Sequence, residues 1–195
     1  MNLRKTLLIT TLGLALAGCG NDADPPATTA SAPGPQSGAD GSPGPGPASA
    51  PKLVASEPAS VSIEGATGVN DDCNIEGVDR QLFTSATVTV PQGGTHAFAG
   101  WIVDKAGNAI PTRLKLVVTG VGSTSGLFTT ESVTWVDRAG VSETRGYGPE
   151  LNKSGFVFNV DTTDVPAGRY HIFVTGAGAT GAVVCDPGRQ IVIEG

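Results

Sequence analysis

No stretch of residues 58–195 runs longer than 13 residues without a Gly or a Pro. That punctuation bounds the fold more tightly than any other feature of the chain. An interior Gly costs a helix about 1 kcal/mol relative to Ala, and an interior Pro about 3 kcal/mol, so long helices are not expected here. The longer uninterrupted stretches are rich in Thr and Val, which favour extended backbone. Strand signals recur at 60–64, 86–90, 96–103, 113–119, 132–136, 155–160, 169–175 and 190–194, each β-branched or aromatic and bounded by turn residues. Alternation is clearest in Thr87-Val88-Thr89-Val90 and in Leu114-Lys115-Leu116. Eight short strands with Gly- and Pro-rich turns read as an all-β, antiparallel β-sandwich over residues 58–195. That length is enough for one well-buried core.

Composition narrows the function. Only 15% of the 195 residues are charged and the net charge is −6, so nothing here neutralises a row of phosphates, and nucleic acid is excluded as a partner. A coiled coil needs far more Ala, Glu, Lys and Leu in heptads. Aromatics are few, six Phe, two Trp and two Tyr, which argues against a strong sugar-stacking platform.

The N-terminus carries Arg4 and Lys5, then an apolar run at 7–17, shorter than the roughly 20 residues a permanent span requires. It ends in Leu16-Ala17-Gly18-Cys19. This resembles the lipobox of bacterial lipoprotein precursors in its complete Leu-Ala-Gly-Cys form. The resemblance implies a signal peptide at 1–18, cleavage before Cys19, diacylglycerol on its thiol, and a further acyl chain such as palmitate on the new amino group. An ordinary signal peptide with a chance Cys is the competing reading. It is disfavoured because small residues lead straight into a Cys followed at once by a polar linker. Each buried CH₂ contributes about 0.8 kcal/mol, so several chains hold the protein to the membrane through Cys19. Gly20 stands where an Asp often signals inner-membrane retention in such lipoproteins, which favours the outer membrane of a Gram-negative envelope.

Residues 19–57 read as the lipidated Cys and a disordered tether. Eight of the 14 Pro fall between 21 and 57, and the only bulky aliphatics there are Leu53 and Val54. Such composition stays disordered or samples polyproline II, and the strict Gly-X-Y period of collagen is missing. With lipid on Cys19, Cys73 and Cys185 remain. An oxidising exported location makes a disulfide between them the natural pairing.

Four pieces inside the domain resemble a β-sandwich module found in bacterial envelope proteins, often beside carbohydrate-handling membrane proteins. They are Gly100-Trp101-Ile102-Val103-Asp104, residues 136–141, Ser154-Gly155-Phe156, and Val165-Pro166-Ala167-Gly168-Arg169-Tyr170. The second piece usually reads Arg-x-Asp-Val, whereas here it is Arg138-Ala139-Gly140-Val141, so any role of that acid does not carry over. Asp164, Gly168 and Tyr170 also resemble the turn before a late strand of immunoglobulin-like domains, which implies a Tyr hydroxyl bonded back across the corner. Trp101 and Phe156 read as core residues.

Local chemistry is sparse. Gly176-Ala177-Gly178-Ala179-Thr180-Gly181 fits a dinucleotide fingerprint, but a strand rather than a helix follows it, so it reads as a hairpin turn. Residues 72–77 place oxygen ligands at every second position like the first half of a calcium loop, yet the twelfth position is Phe83. A solvated acidic turn is preferred there to a weak calcium site with Asp71 or Asp79. His96 and His171 lack zinc-ligand spacing, and Gly122-Ser123-Thr124-Ser125-Gly126 puts Thr at the nucleophile-elbow position. No cofactor, metal or catalytic residue is implied, and the chain is not expected to be an enzyme unless distant residues assemble a site. The expectation is a lipid-anchored, non-catalytic envelope lipoprotein whose sandwich binds or organises an envelope component, with glycan the suggested class. The alternative is an assembly factor that pairs with a protein through a sheet edge.

Overall fold

The structure, a computed structural model, describes residues 49–61, 63 and 65–195. The signal peptide, Cys19 and most of the tether lie outside the described residues.

The backbone is extended at β1 (Val54–Ala55), β2 (Thr67–Gly68), β3 (Cys73–Val78), β4 (Gln81–Leu82) and β5 (Thr87–Pro91). It continues through β6 (Thr95–Ile102), β7 (Thr112–Gly120), β8 (Leu127–Thr130) and β9 (Thr134–Val136). A short helix, α1 (Ala139–Arg145), precedes β10 (Gly155–Asp161), β11 (Gly168–Ala177) and β12 (Ala182–Glu194). One sheet runs β4-β3-β6-β10-β9, and the other β1-β8-β7-β11-β12-β2 with β5 also on β12. Strands β3, β6, β10 and β9 take the places of A, B, E and D in an immunoglobulin-like sandwich, while β7, β11 and β12 take those of C, F and G.

Period-two alternation builds the core. Phe98 and Ile102 of β6 and Phe156, Phe158 and Val160 of β10 face Leu114, Leu116 and Val118 of β7 and Tyr170, Ile172 and Val174 of β11, all buried. Cys73 and Cys185 form a disulfide that joins the start of β3 to β12 and so ties the two sheets. The Tyr170 hydroxyl donates to the Pro166 carbonyl at 2.8 Å, the corner bond that the immunoglobulin-like resemblance implies. Phe156 belongs to the inter-sheet core, whereas Trp101 is buried outside it. With Phe98 and Ile102 pointing inward, alternation sends Trp101 to the outer face.

Three expectations are corrected. Residues 72–77 are not an acidic turn: Cys73–Val78 is a strand paired with β6. Asp72 closes a 3₁₀ turn at Asn70–Asp72, and Asn74 and Glu76 are the outward half of strand alternation, with Cys73 and Ile75 buried on the inward half. Residues 60–64 show no strand among the described positions; a 3₁₀ turn occupies Pro58–Ser60 instead. The tether boundary at 57 is also too late. Leu53 is buried in the core, its N–H bonds the Asp161 carbonyl at 3.1 Å, and Val54–Ala55 pair with β8.

From β1 at one edge of its sheet, the chain crosses the outer face and pairs again as β2 with β12 at the other edge. Lys115 Nζ donates to the Ser60 carbonyl on the way. Val117 and Phe173, register partners on that outer face, are buried although outside the inter-sheet core.

Candidate functional site

The outer face of the other sheet carries a concavity. Register brings Val136, Gly155, Trp101 and Asn74 into one row across β9, β10, β6 and β3. Bulk is missing from the middle of this row because position 155 is Gly. A Cβ there would lie 2.5 Å from Arg138 Cγ, so the Arg138 side chain lies across Gly155 and its guanidinium pairs with Glu76 of β3. Arg145, in the last turn of α1, places its guanidinium 5.2 Å from the Trp101 ring centroid and donates to the Asp71 carbonyl at 2.9 Å. Trp101 is therefore only 5% exposed.

The resulting groove holds about 600 Å³ and is bounded by Asn74, Trp101, Asp137, Arg138, Thr144 and Arg145, with Cys73 of the disulfide in its wall. That volume suits a ligand of a few rings. A second depression of about 440 Å³ shares Asn74 and Arg138 with it and extends to Phe83 and Arg189. There the Arg189 guanidinium sits 5.3 Å from the Phe83 centroid and reaches Asn74 Oδ1 at 3.4 Å. Most of the polar arms are oriented by a neighbouring protein group, Asp137 through the Ala139 N–H at 2.9 Å. The face offers planar donors and acceptors, a lining suited to ligands rich in hydroxyl groups, each of which both donates and accepts.

Beside the groove, Tyr147 donates its hydroxyl to Asp72. Desolvation first, then that hydrogen bond and the carboxylate charge, push its pKa up to about 12. The folded chain thus holds the phenolic proton at a pH where the unfolded chain releases it. Its contribution to stability is full below about pH 10 and is lost as pH rises toward 12. Asp72→Asn should bring the Tyr147 titration down toward 10, followed by phenolate absorbance. Tyr147 and Tyr170 are the only tyrosines, and the Tyr170→Phe background isolates the signal. An unchanged titration would show that Asp72 does not hold that proton.

The remaining motifs serve the scaffold. His96 contacts Asp79 through Nδ1, while its Nε2 lies 3.1 Å from the Pro91 and Gly93 carbonyls, so it fastens the turn at 91–94. His171 Nε2 lies 2.7 Å from Asp186, which also accepts the Gly188 N–H. Among the described residues no Ser, Thr or Cys is hydrogen-bonded to either imidazole. Gly176 and Ala177 end β11, and Gly178–Gly181 forms the β11–β12 hairpin turn, closed by Gly178 N–H to Gly181 carbonyl at 2.7 Å. The buried Asp104 ties this turn to its own loop by accepting from Ala179 and Gly107.

Asn74, Asp137, Arg138 and Arg145 are not singled out as binding residues by sequence reasoning. The readable signal was alternation at 72–76, which sets Asn74 and Glu76 on the same outer face. Comparison with family models, with curated proteins and with solved structures finds no match to this chain.

Proposed function

We propose that this protein is a lipid-anchored, non-catalytic envelope lipoprotein whose sandwich binds an envelope glycan in the groove beneath α1. The carrying observation is the interlocked lining of that groove, with Asn74, Asp137, Arg138 and Arg145 facing one concavity. Ligand hydroxyls can both donate to and accept from such groups, and arms already held in place lose little freedom on binding. The anchor is the lipid on Cys19 that the lipobox resemblance implies, and the membrane is the second partner. The full chain in detergent should retain purified envelope polysaccharide on an array. Arg138→Ala and Asn74→Ala should weaken retention about tenfold, in the range typical of central contact residues. Cys19→Ser should release the chain from membranes and leave glycan retention intact. If no polysaccharide is retained, or if both groove variants retain it like the parent, the glycan reading falls.

A second reading has its own observation. Among the described residues strand β9 pairs only with β10 and ends its sheet, leaving an open edge available to a strand from another protein. Crosslinking in the native envelope separates the two, since one reproducible protein partner favours pairing at this edge.

A further inference from the structure

We infer that a second site, beside Trp135, takes a sugar ring bearing a carboxylate. Trp135 pairs in register with Phe156 and so points to the inward side of its sheet. Among the described residues β9 is the last strand of its sheet and no further strand covers the ring, and Trp135 stays 36% exposed. Ile110 and the buried Pro111 form an apolar wall beside it, and the depression holds about 320 Å³. An apolar floor with one aromatic face matches the C–H face of a pyranose ring rather than its hydroxyl edge.

The charge around this floor names the ligand further. Arg113 and Lys153 line the depression, both are exposed, and neither forms an ion pair among the described residues. No carboxylate lines it. Two uncompensated cations share this depression with an aromatic ring in a chain of net charge −6. Arg113 also holds a left-handed backbone at φ +52, a conformation that costs a non-Gly residue about 1–3 kcal/mol and that clusters at binding sites. An acidic sugar supplies both the apolar ring face and the anion, and the guanidinium can hold a carboxylate through two parallel bonds.

This assignment rests on the glycan reading for the ligand family but on different residues, so the two fail separately. The probe is an oligogalacturonate, titrated against the full chain and followed by tryptophan fluorescence and affinity electrophoresis, with neutral dextran as comparison. Oligogalacturonate should bind and dextran should not. Trp135→Ala and Lys153→Gln should each weaken binding about tenfold, and Asn74→Ala in the groove should leave it unchanged. Raising the salt should weaken binding in the parent more than in Lys153→Gln, because one of the two exposed charges is then gone. Equal binding of dextran, insensitivity to Trp135→Ala, or selective binding of anionic lipid vesicles instead of the oligosaccharide would each overturn the assignment. Loss on Asn74→Ala alone would move the acidic ligand to the groove and leave the broader reading standing.

Discussion

Replacing Cys73 and Cys185 together by Ala is expected to lower the unfolding free energy by about 4–5 kcal/mol. The bridge spans 112 positions of sequence, and closing a loop of that length removes a large share of the unfolded chain's freedom. It also joins strands in opposite sheets, so its loss frees the start of β3 from β12. Both Cys are buried, and Ala rather than Ser avoids placing a hydroxyl in the core without a partner. Small domains carry only about 5–15 kcal/mol of stability in total, so the variant should sit near the limit of folding. Guanidinium unfolding of the parent, with and without reductant, reads the same quantity without mutation. A shift below about 1 kcal/mol by both routes would mean that the unfolded chain is already held compact near these residues.

Phe156→Ala is expected to cost about 3–5 kcal/mol, the usual range for emptying a buried aromatic position. The ring is fully buried and stands edge-to-face on Phe158, with centroids 5.6 Å apart. Its partner on β6 is Gly100, where a Cβ would run into the Asn74 carbonyl oxygen and come within 2.6 Å of the ring. On the β6 side, the position opposite Phe156 therefore has no side chain that could swing into the vacated space. A folded, cooperative variant with a denaturant midpoint close to the parent's would contradict this packing.

The strands that could be read from the sequence are those whose two faces differ chemically. Alternation with polar residues is clearest in β5 and in the Leu114-Lys115-Leu116 part of β7, while β6, β10 and β11 stand out by their β-branched and aromatic residues, and each of the five falls within one or two residues of its expected place. Strand β3 was hidden by its polar half: Asp72, Asn74 and Glu76 copy the spacing of metal ligands, and only pairing with β6 reveals Asn74 and Glu76 as one face of a strand that follows the 3₁₀ turn at Asn70–Asp72. Strand β12 was legible only in pieces, because Pro187 and Gly188 sit inside its 13 residues. The sheet absorbs them with a register shift opposite Ile172–Val174 of β11. Strands β1 and β2 have two residues each, too few for any period, though Leu53 and Val54 stood out against the polar composition around them.

The candidate site was less legible than the fold, for a physical reason. Its members come from β3, β6, the β9–α1 connection and α1, and they meet only through sheet register and the packing of that connection and helix over it. Arg138 is informative only once Gly155 leaves room for its side chain. The exposure of Trp135 likewise depends on β9 being the last strand of its sheet, which no local pattern contains.

The crossing segment between β1 and β2 also sets where this domain yields under tension. Everything from Cys73 to Cys185 is closed into one covalent ring, whereas the segment before Cys73 is held by two two-residue pairings, the buried Leu53, and isolated backbone and side-chain bonds. A pull from the N-terminal side therefore strips residues 51–72 first and is arrested at the disulfide. That gives up about 70–80 Å of slack at full extension before the ring that carries both the groove and the Trp135 depression bears the load.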